Sequence, residues 1–225
     1  MTLDFGAVVS RWPMFLDGAL MTIKLAAGAT LIGFVIGTFG AIARRSSVGW
    51  AQRAATTYVE VIRNTPLLVQ IFLVYFGLAS IGLKLPAVTV AMAALIINVG
   101  AYATEIMRAG FDSIHKGQLE AAECLALSKR QVYWHVVLLP AMERVYPALT
   151  SQFVLLMLAS SVCSQISAEE LTAVANFVQS DTYRPFETYI LVAAAYLLLS
   201  LLMRAGFWGL GLLLFPRLRR LGTAL

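Results

Sequence analysis

The side chains in this sequence that most often carry catalysis or bind metals are two cysteines and two histidines, and their spacing supports neither role. Cys124 and Cys163 form no CxxC pair, while His115 and His135 have no acid or nucleophile set beside them. The phosphate-binding pattern GxxxxGK(S/T) is absent, so the chain cannot hold ATP in a P-loop of its own. We therefore predict no catalytic residue, no metal site and no cofactor bound by this chain.

A polar, helix-forming stretch at 116–140 interrupts the apolar sequence and is the first candidate for a functional surface. Residues 118–127 read QLEAAECLAL, but an isolated helix of about three turns is marginal in water and needs a partner. Ala121 and Ala122 keep one face thin enough to enter a groove, and Glu120 places charge at its edge. An ordinary interfacial connector would have the same features, and these residues alone do not decide between the two.

A second helix is predicted to follow within this stretch. Ser128 and Gln131 form an S-x-x-Q capping box, which is a typical helix start. The helix continues through Tyr133 and Trp134 to Pro140, where the sequence becomes apolar again.

Composition places these polar residues in a membrane protein. Of 225 residues, 60% are hydrophobic and 13% are charged, whereas about a quarter are charged in a soluble domain. Mean hydropathy is +0.79. A spanning helix needs about 20 mostly apolar residues. We predict an all-α integral membrane bundle, a single domain covering 1–225, with five transmembrane helices at about 18–43, 58–79, 87–107, 146–165 and 187–204.

The basic residues set the direction of the spans, because lysine and arginine accumulate on the cytoplasmic side. Arg11, Lys84 and Arg184 lie on one set of flanks and twelve basic residues on the other. This bias predicts an N-terminus outside, a cytoplasmic C-terminus and a cytoplasmic loop at about 112–144. Because the charges cluster at span ends, the net charge of +5 predicts contact with lipid and not with nucleic acid. The twelve are Arg44, Arg45, Arg53, Arg63, Arg108, Lys116, Lys129, Arg130, Arg144, Arg217, Arg219 and Arg220.

Two spans carry finer expectations. Arg204 is expected to mark the end of the fifth span, so that 207–215 lies along the membrane interface; a longer span is the alternative. In the first span, Gly33 and Gly37 form a GxxxG, which allows close helix contact. We favour packing within the bundle over a dimer contact.

Polar side chains inside the predicted spans are costly in lipid and are expected to face the bundle interior. They are candidates for a solute pathway, although hydrogen bonds between helices would explain them equally well. The candidates are Gln70, Asn98, Gln152, Ser160 and Ser161.

Charged residues near the cytoplasmic span ends allow two interpretations. Glu60, Arg63 and Pro66 open the second span and suit either a gate or an anchor at headgroup level. Glu105 and Arg108 are expected to anchor the end of the third span. On the opposite side, the acidic outer loop at 166–186, with a possible helix start at Ser167, suits either a docking surface or plain solvation.

Several segments together resemble the permeases of ATP-binding-cassette (ABC) importers, in the branch that takes up polar amino acids. The loop motif EAA stands at 120–122, with LLP at 138–140. YVEVIRNTPLLVQIFLVYFGL at 58–78 and NVGAYATEIMRAGFDSIHKGQLEAA at 98–122 resemble the same branch, and the similarity extends from about Gly18 to Arg220.

The resemblance implies a bacterial inner-membrane permease that works with a second permease, two cytoplasmic ATPases that bind ATP and Mg, and an extracytoplasmic solute-binding protein. The substrate would be an amino acid. The EAA helix would dock in a cleft of the ATPase, and Asn98 and Gln152 would lie near the pathway. The implied coupling residues are Gly117, Glu120, Ala121, Ala122, Ala126, Leu139 and Pro140.

The chain departs from the family pattern at two places. Ala126 stands where the family has glycine; a left-handed backbone there would cost alanine about 1 kcal/mol, and we expect a turn of another kind. Met157 and Leu158 replace the Lys-Asp pair whose acid helps hold a cationic substrate in the family. A heterodimer with a different permease is therefore favoured, although a substrate without a cationic side chain, or a site elsewhere, is also open.

Two other functions compete with amino-acid import. An importer of a quaternary ammonium compound would need an aromatic cage, for which Phe72, Tyr75 and Phe76 are available. A carrier or channel that works alone would need inverted repeats or ionisable residues at mid-membrane, and neither is evident.

Overall fold

The computed structural model describes residues 3–215, and every regular element within that range is a helix. Helices α7 and α8, together with the π-helical segment Val132–Leu138 and the 3-10 segment Ser160–Ile166, join into one continuous helix, Lys129–Ile166. The α-helices are α1 (Gly6–Val9), α2 (Trp12–Arg44), α3 (Gly49–Arg63), α4 (Leu67–Ser80), α5 (Ala87–Asp112), α6 (Lys116–Cys124), α7 (Lys129–Gln131), α8 (Leu139–Ala159), α9 (Leu171–Thr182) and α10 (Pro185–Leu214).

Four helices in the described part are long and apolar enough to cross a membrane: α2, α5, Lys129–Ile166 and α10. They contain the predicted first, third, fourth and fifth spans, and the all-helical membrane fold is confirmed. A fifth span is present if α3 and α4 are counted together. The division of the whole chain into one five-span domain stays a prediction.

The predicted second span, 58–79, is not one continuous helix. Helices α3 and α4 meet at 109°. Pro66 adopts an extended backbone, with φ −65° and ψ 140°, and begins α4. Its ring nitrogen carries no hydrogen to donate and its ring disfavours a helical residue before it, so α3 ends at Arg63.

The fifth span is longer than predicted. Helix α10 continues through Arg204 to Leu214 without a break, so 207–215 is not a separate interfacial element. Arg204 therefore lies in the helix, with its side chain exposed, and does not mark the helix end. The three arginines predicted beyond this helix, Arg217, Arg219 and Arg220, lie outside the described residues.

Helices α2 and α5 run side by side and form the centre of the main core. A Cβ added to Gly33 would lie 2.2 Å from Val99 Cγ1, and one added to Gly37 would lie 2.4 Å from Ala103 Cβ. Such closeness needs glycine on α2. The GxxxG therefore packs within the bundle, as favoured.

A second, smaller core joins α1, α9 and the first turns of α2 and α10. It contains Val8, Phe15, Leu171, Val178 and Val192, all buried. Because α9 follows the fourth span and α10 starts the fifth, this core lies on the side predicted to be extracytoplasmic. It holds the outer loop as a packed unit.

The coupling insert and the polar sites of the bundle

The insert between α5 and α8 starts with α6, which ends in a left-handed turn. Ala126 has φ +52°, and its N–H donates to the carbonyl of Glu123 at 2.9 Å. The N–H of Leu127 donates to the carbonyl of Ala122 at 3.1 Å. These two bonds define a Schellman motif, in which glycine is preferred at the position of Ala126. Our expectation of another kind of turn was wrong, because the hydrogen bonds of the motif hold alanine in the conformation that suits glycine.

The substitution Ala126→Gly should stabilise this turn. Alanine in the left-handed region costs about 1 kcal/mol, and glycine does not carry that cost. We expect amides of α6 and the turn to exchange about fivefold more slowly, measured by hydrogen–deuterium exchange of the chain in detergent. Ala121→Gly, the same change inside α6, should speed exchange because glycine weakens a helix interior. Equal effects of both substitutions would contradict the strain at Ala126.

Helix α6 has one face towards the chain and one towards solvent. Ala122 is only 3% exposed, and α6 contacts the π-helical segment Val132–Leu138. Glu120 and Ala121 are exposed, and a Cβ added to Gly117 would meet no atom within 4 Å. Of the two alanines predicted to thin the docking face, only Ala121 lies on the open face; for Ala122 the prediction was wrong, because its side chain packs against the chain.

Several large apolar side chains of the insert are exposed. Leu125 is 74% exposed, and Tyr133, Trp134 and Leu139 are also exposed, while Pro140 is half-buried. Exposed apolar groups rimmed by charge are typical of protein interfaces. The exposed apolar groups suit the predicted docking surface, and its role in docking stays a prediction.

The second helix of the insert begins as predicted. Ser128 N–H donates to Gln131 Oε1 at 2.9 Å, and Gln131 N–H donates to Ser128 Oγ at 3.4 Å, which completes the capping box. The π-helical segment then leads directly into Pro140, which cannot donate a backbone hydrogen bond. A π segment accommodates such a missing bond, so the helix enters the bundle without a break.

Gln70 and Asn98, two predicted pathway residues, form a clamp at the bend between α3 and α4. Gln70 Nε2 donates to the carbonyls of Ile62 at 2.8 Å and Thr65 at 3.0 Å, both left without helical partners by the bend. Asn98 Nδ2 on α5 donates to Gln70 Oε1 at 2.9 Å. Both side chains are buried, and the geometry favours the alternative of bonds between helices. Their role in a pathway stays a prediction.

The other predicted pathway residues lie on the fourth span and are not part of this clamp. Gln152 is half-buried on α8. Ser160 is fully buried, and its hydroxyl donates to the carbonyl of Met157 at 2.7 Å. Ser161 is half-buried, and its carbonyl accepts from the Ser164 hydroxyl at 2.8 Å. The structure does not bring the five candidates into one site.

The two apolar replacements on α8 have different surroundings. Met157 is 2% exposed and lines an apolar cavity of about 430 Å³ between α2 and α10. Leu158 is exposed. Thr30 also lines this cavity, and none of the other lining residues is polar or charged. This side of the bundle therefore cannot bind a cationic group through a carboxylate of its own.

A ladder of ion pairs joins the ends of α2 and α5 that are predicted to be cytoplasmic. Glu105 pairs with both Arg44 and Arg108. Arg108 also contacts Asp112 at 2.7 Å, and Asp112 contacts Arg45 at 3.4 Å. Glu105 and Arg108 thus tie two helix ends together, in agreement with their expected role as anchors.

The outer loop is less open than its acidic sequence indicated. Glu170 is fully buried and caps α9, accepting from the N–H groups of Thr172 at 3.0 Å and Ala173 at 2.9 Å. Ser167 adopts a left-handed backbone and does not cap the helix, so the predicted helix start was wrong by three residues. The helix starts at Glu170 because its carboxylate reaches two free backbone donors. Ser167 instead ends the preceding 3-10 segment.

Acids of this loop and of the first turn of α10 are also engaged. Asp181 pairs with Arg11 at 2.6 Å, and Glu187 accepts from the backbone N–H of Asp4 at 3.2 Å. Glu169 is exposed. Docking of a protein on this surface stays a prediction, which now rests on Glu169 and the exposed rings of Phe177 and Tyr183 and not on a generally acidic loop.

Glu170 should make the stability of the outer core depend on pH. Burial raises the pKa of Glu170 above its ordinary value of 4.5, so the folded chain binds this proton more tightly than the unfolded chain. The stability that Glu170 contributes to the folded chain is complete below the pKa that it has in the unfolded chain. That stability is lost as pH rises through the pKa of Glu170 in the folded chain. Glu170→Gln should abolish this dependence on pH. Thermal unfolding measured at pH values from below the unfolded pKa to above the folded pKa of Glu170 tests this.

A second substitution separates charge from capping. Glu170→Ala removes the acceptor for two backbone donors and should destabilise α9 by about 1–2 kcal/mol at every pH. If Glu170→Gln kept the pH dependence of the original chain, another group would be responsible for it.

Within residues 3–215 the structure brings no three His, Cys, Asp or Glu side chains together as a metal site. Cys124 is exposed on α6 and Cys163 is buried in the main core, and both are free. The arrangement of long apolar helices with an exposed polar insert defines a multi-pass membrane component.

Comparison with known proteins identifies the class. The family model for the inner membrane component of binding-protein-dependent transport systems matches residues 29–219, and the chain belongs to this family. It is therefore a multi-pass inner-membrane subunit of such a system, which implies a solute-binding protein and ATPase partners.

Individual relatives cover nearly the whole chain. The probable glutamine ABC transporter permease protein GlnM of Bacillus subtilis is 34% identical over 91% of this chain and 94% of its own length. The glutamine transport system permease protein GlnP of Escherichia coli is 34% identical over 90% and 94%. The nopaline transport system permease protein NocM of Agrobacterium fabrum is 33% identical over 92% of both chains.

Solved structures agree with the fold. The crystal structure of an amino acid ABC transporter with histidines is 39% identical, with a TM-score of 0.86 over 94% of this chain and 99% of that one. The inward-facing MetNI methionine ABC transporter has a TM-score of 0.74 at 15% identity, over 91% and 98%, and supports the fold alone.

Proposed function

We propose that this chain is the permease subunit of an ATP-driven importer of polar amino acids. The family membership carries this proposal, together with relatives that are named as glutamine and nopaline permeases. The solved relative with 39% identity is an amino acid transporter. Phe72, Tyr75 and Phe76, the rings available for a quaternary ammonium substrate, contact one another along α4, as neighbouring side chains of one helix do.

The chain itself is non-catalytic in this proposal. Two partner ATPases bind ATP and Mg, and the exposed face of α6, around Glu120 and Ala121, enters a cleft on one of them. The apolar side chains of Leu125 and Trp134 flank that contact and are otherwise exposed to water. Closure of the ATPases then moves α6, and the continuous helix Lys129–Ile166 transmits this motion into the membrane.

The second permease is a different chain in this proposal. The family's acid on the fourth span is missing here, and Met157 faces an apolar cavity. A carboxylate for a cationic substrate would therefore have to come from the partner. The N-terminus lies outside and the C-terminus in the cytoplasm, which follows from the twelve basic residues on one set of flanks against three on the other.

Reconstitution tests the function. The chain is purified with its ATPase, second permease and solute-binding protein, and uptake of radiolabelled L-glutamine and other polar amino acids into proteoliposomes is measured. We expect uptake only with ATP on the ATPase side and binding protein on the other side. Uptake by this chain alone, without an ATPase, would contradict the proposal. Native mass spectrometry of the same complex distinguishes a heterodimer from a homodimer.

A further inference from the structure

A polar pocket of about 330 Å³ lies between α2, α3 and α5, at the end of the bundle predicted to face the cytoplasm. Its volume is within the range of small-molecule sites. Three helices supply its lining, so its shape depends on their packing and not on one loop. The lining residues are Arg44, Val59, Glu60, Arg63, Asn64, Tyr102 and Glu105.

The charges in the deeper part of this pocket are satisfied within the chain. Glu105 is bound by Arg44 and by Arg108, both through short contacts. Tyr102 is half-buried beside them and presents its ring to Arg63, whose guanidinium carbon lies 5.5 Å from the ring centroid. This stacking holds the guanidinium in place while leaving its N–H donors available.

The rim of the pocket carries one unpaired charge of each sign. Glu60 and Arg63 are three residues apart on α3, are both exposed, and have no ion-pair partner within 4 Å in the part of the chain that the structure describes. The lining as a whole has two arginines and two glutamates. A pocket whose lining carries equal numbers of acidic and basic side chains, with a carboxylate and a guanidinium outside ion pairs at its rim, matches a ligand with both charges.

We propose that this pocket binds a free α-amino acid, with Glu60 accepting from the ammonium group and Arg63 donating to the carboxylate. An anion alone would be repelled by Glu60, and a cation alone by Arg63. The inference rests on the proposed function and deepens it. It places the amino acid at an exit site on the cytoplasmic side, apart from residues 155–161 of the fourth span, none of which lines the pocket.

The clamp at the bend of α3 and α4 fixes the rim. Gln70 binds the carbonyls of Ile62 and Thr65, which flank Arg63 and Asn64 in the chain. The Asn98 side chain ties Gln70 to α5, the same helix that carries Tyr102 and Glu105. The end of α3 is therefore held at a set distance from the pocket floor, and a site that is held in this way loses less entropy on binding.

The site is tested by measuring L-glutamine binding to the full chain in dodecyl maltoside, using saturation-transfer NMR. The test is whether each of two substitutions weakens that binding. We expect Glu60→Gln and Arg63→Gln each to weaken L-glutamine binding by about ten- to a hundredfold, because each removes one charge-assisted hydrogen bond. Arg53→Gln, which removes an exposed charge on α3 outside the pocket, should leave binding unchanged. Both rim residues are exposed, so thermal unfolding should match that of the original chain.

Matched probes identify the ligand class. Glutaramate lacks only the α-ammonium of glutamine and 4-aminobutanamide lacks only its α-carboxylate, so both should bind at least tenfold more weakly than L-glutamine. If glutaramate or inorganic phosphate bound more tightly than L-glutamine, and Glu60→Gln strengthened the binding of that anion, the pocket would be an anion site. That result would overturn the inference. L-glutamine binding that neither rim substitution changes would also overturn it. A failure to detect any L-glutamine binding would overturn it as well. In that case, ATP-driven uptake by the assembled transporter would still support the proposed function.

Discussion

Replacing Glu120 by lysine should abolish amino-acid uptake while leaving the chain inserted in the membrane. Glu120 is exposed on the open face of α6, beside Ala121, and makes no ion pair within the described chain. The substitution therefore disturbs no contact of the bundle. It reverses a charge at the edge of the surface that we propose for ATPase docking, where like charges brought together cost several kcal/mol. Uptake by proteoliposomes and ATP hydrolysis by the assembled complex are the measurements.

Uptake and ATP hydrolysis should respond differently to Glu120→Lys. We expect no detectable uptake, and any remaining ATP hydrolysis should no longer respond to the solute-binding protein. Gln52→Lys is the matched control, because it adds a lysine at an exposed position of α3 on the same predicted side of the membrane. That variant should transport normally. Normal uptake by Glu120→Lys, at equal membrane abundance, would remove α6 from the coupling mechanism.

Much of this architecture follows from hydropathy and motif spacing. Four of the predicted spans coincide with long apolar helices, because 20 apolar residues in succession have few stable arrangements outside a membrane helix. The capping box at Ser128 was also predictable, since it depends on neighbouring residues alone. Features set by local sequence were therefore accessible without a structure.

Features set by contacts between distant segments were not. Gln70 was a candidate for the pathway, with structural hydrogen bonds as an equal alternative, and it binds backbone carbonyls that the bend leaves free. Pro66, four residues earlier, was the available signal: a proline that ends a helix leaves acceptors that a nearby amide can satisfy. Its pairing with Asn98 depends on how α5 packs and has no local signature.

Glu170 and Ala126 show two further limits of prediction from the sequence. In the sequence, Glu170 is one of several loop acids, and only the packing of α9 against α2 and α10 buries it. Glutamate is not among the residues preferred at a helix N-cap, so residue preference did not indicate this cap. At Ala126, residue preference argued against a left-handed turn, but the hydrogen bonds of the Schellman motif outweigh a cost of about 1 kcal/mol.

Adding a methyl group at Gly37 should destabilise the whole bundle. The new Cβ would lie 2.4 Å from Ala103 Cβ and 2.9 Å from both Ala103 C and Thr104 N, so α5 backbone atoms leave it no space. Rotation of a side chain cannot relieve contact with backbone, and α2 must move away from α5. We expect Gly37→Ala to lower the free energy of unfolding by about 1–3 kcal/mol, and Gly37→Leu to prevent folding.

Thermal unfolding in detergent can be followed through the buried thiol of Cys163, with exposed Cys124 replaced by serine so that only unfolding admits a thiol-reactive dye. Gly206→Ala is the matched control, because a Cβ there meets no atom within 4 Å, and alanine favours the helix by about 0.5–1 kcal/mol. The same chemical change should therefore lower stability at Gly37 and not at Gly206. Equal unfolding temperatures for the two variants would mean that α2 and α5 are not held in the close contact on which the position of the polar pocket depends.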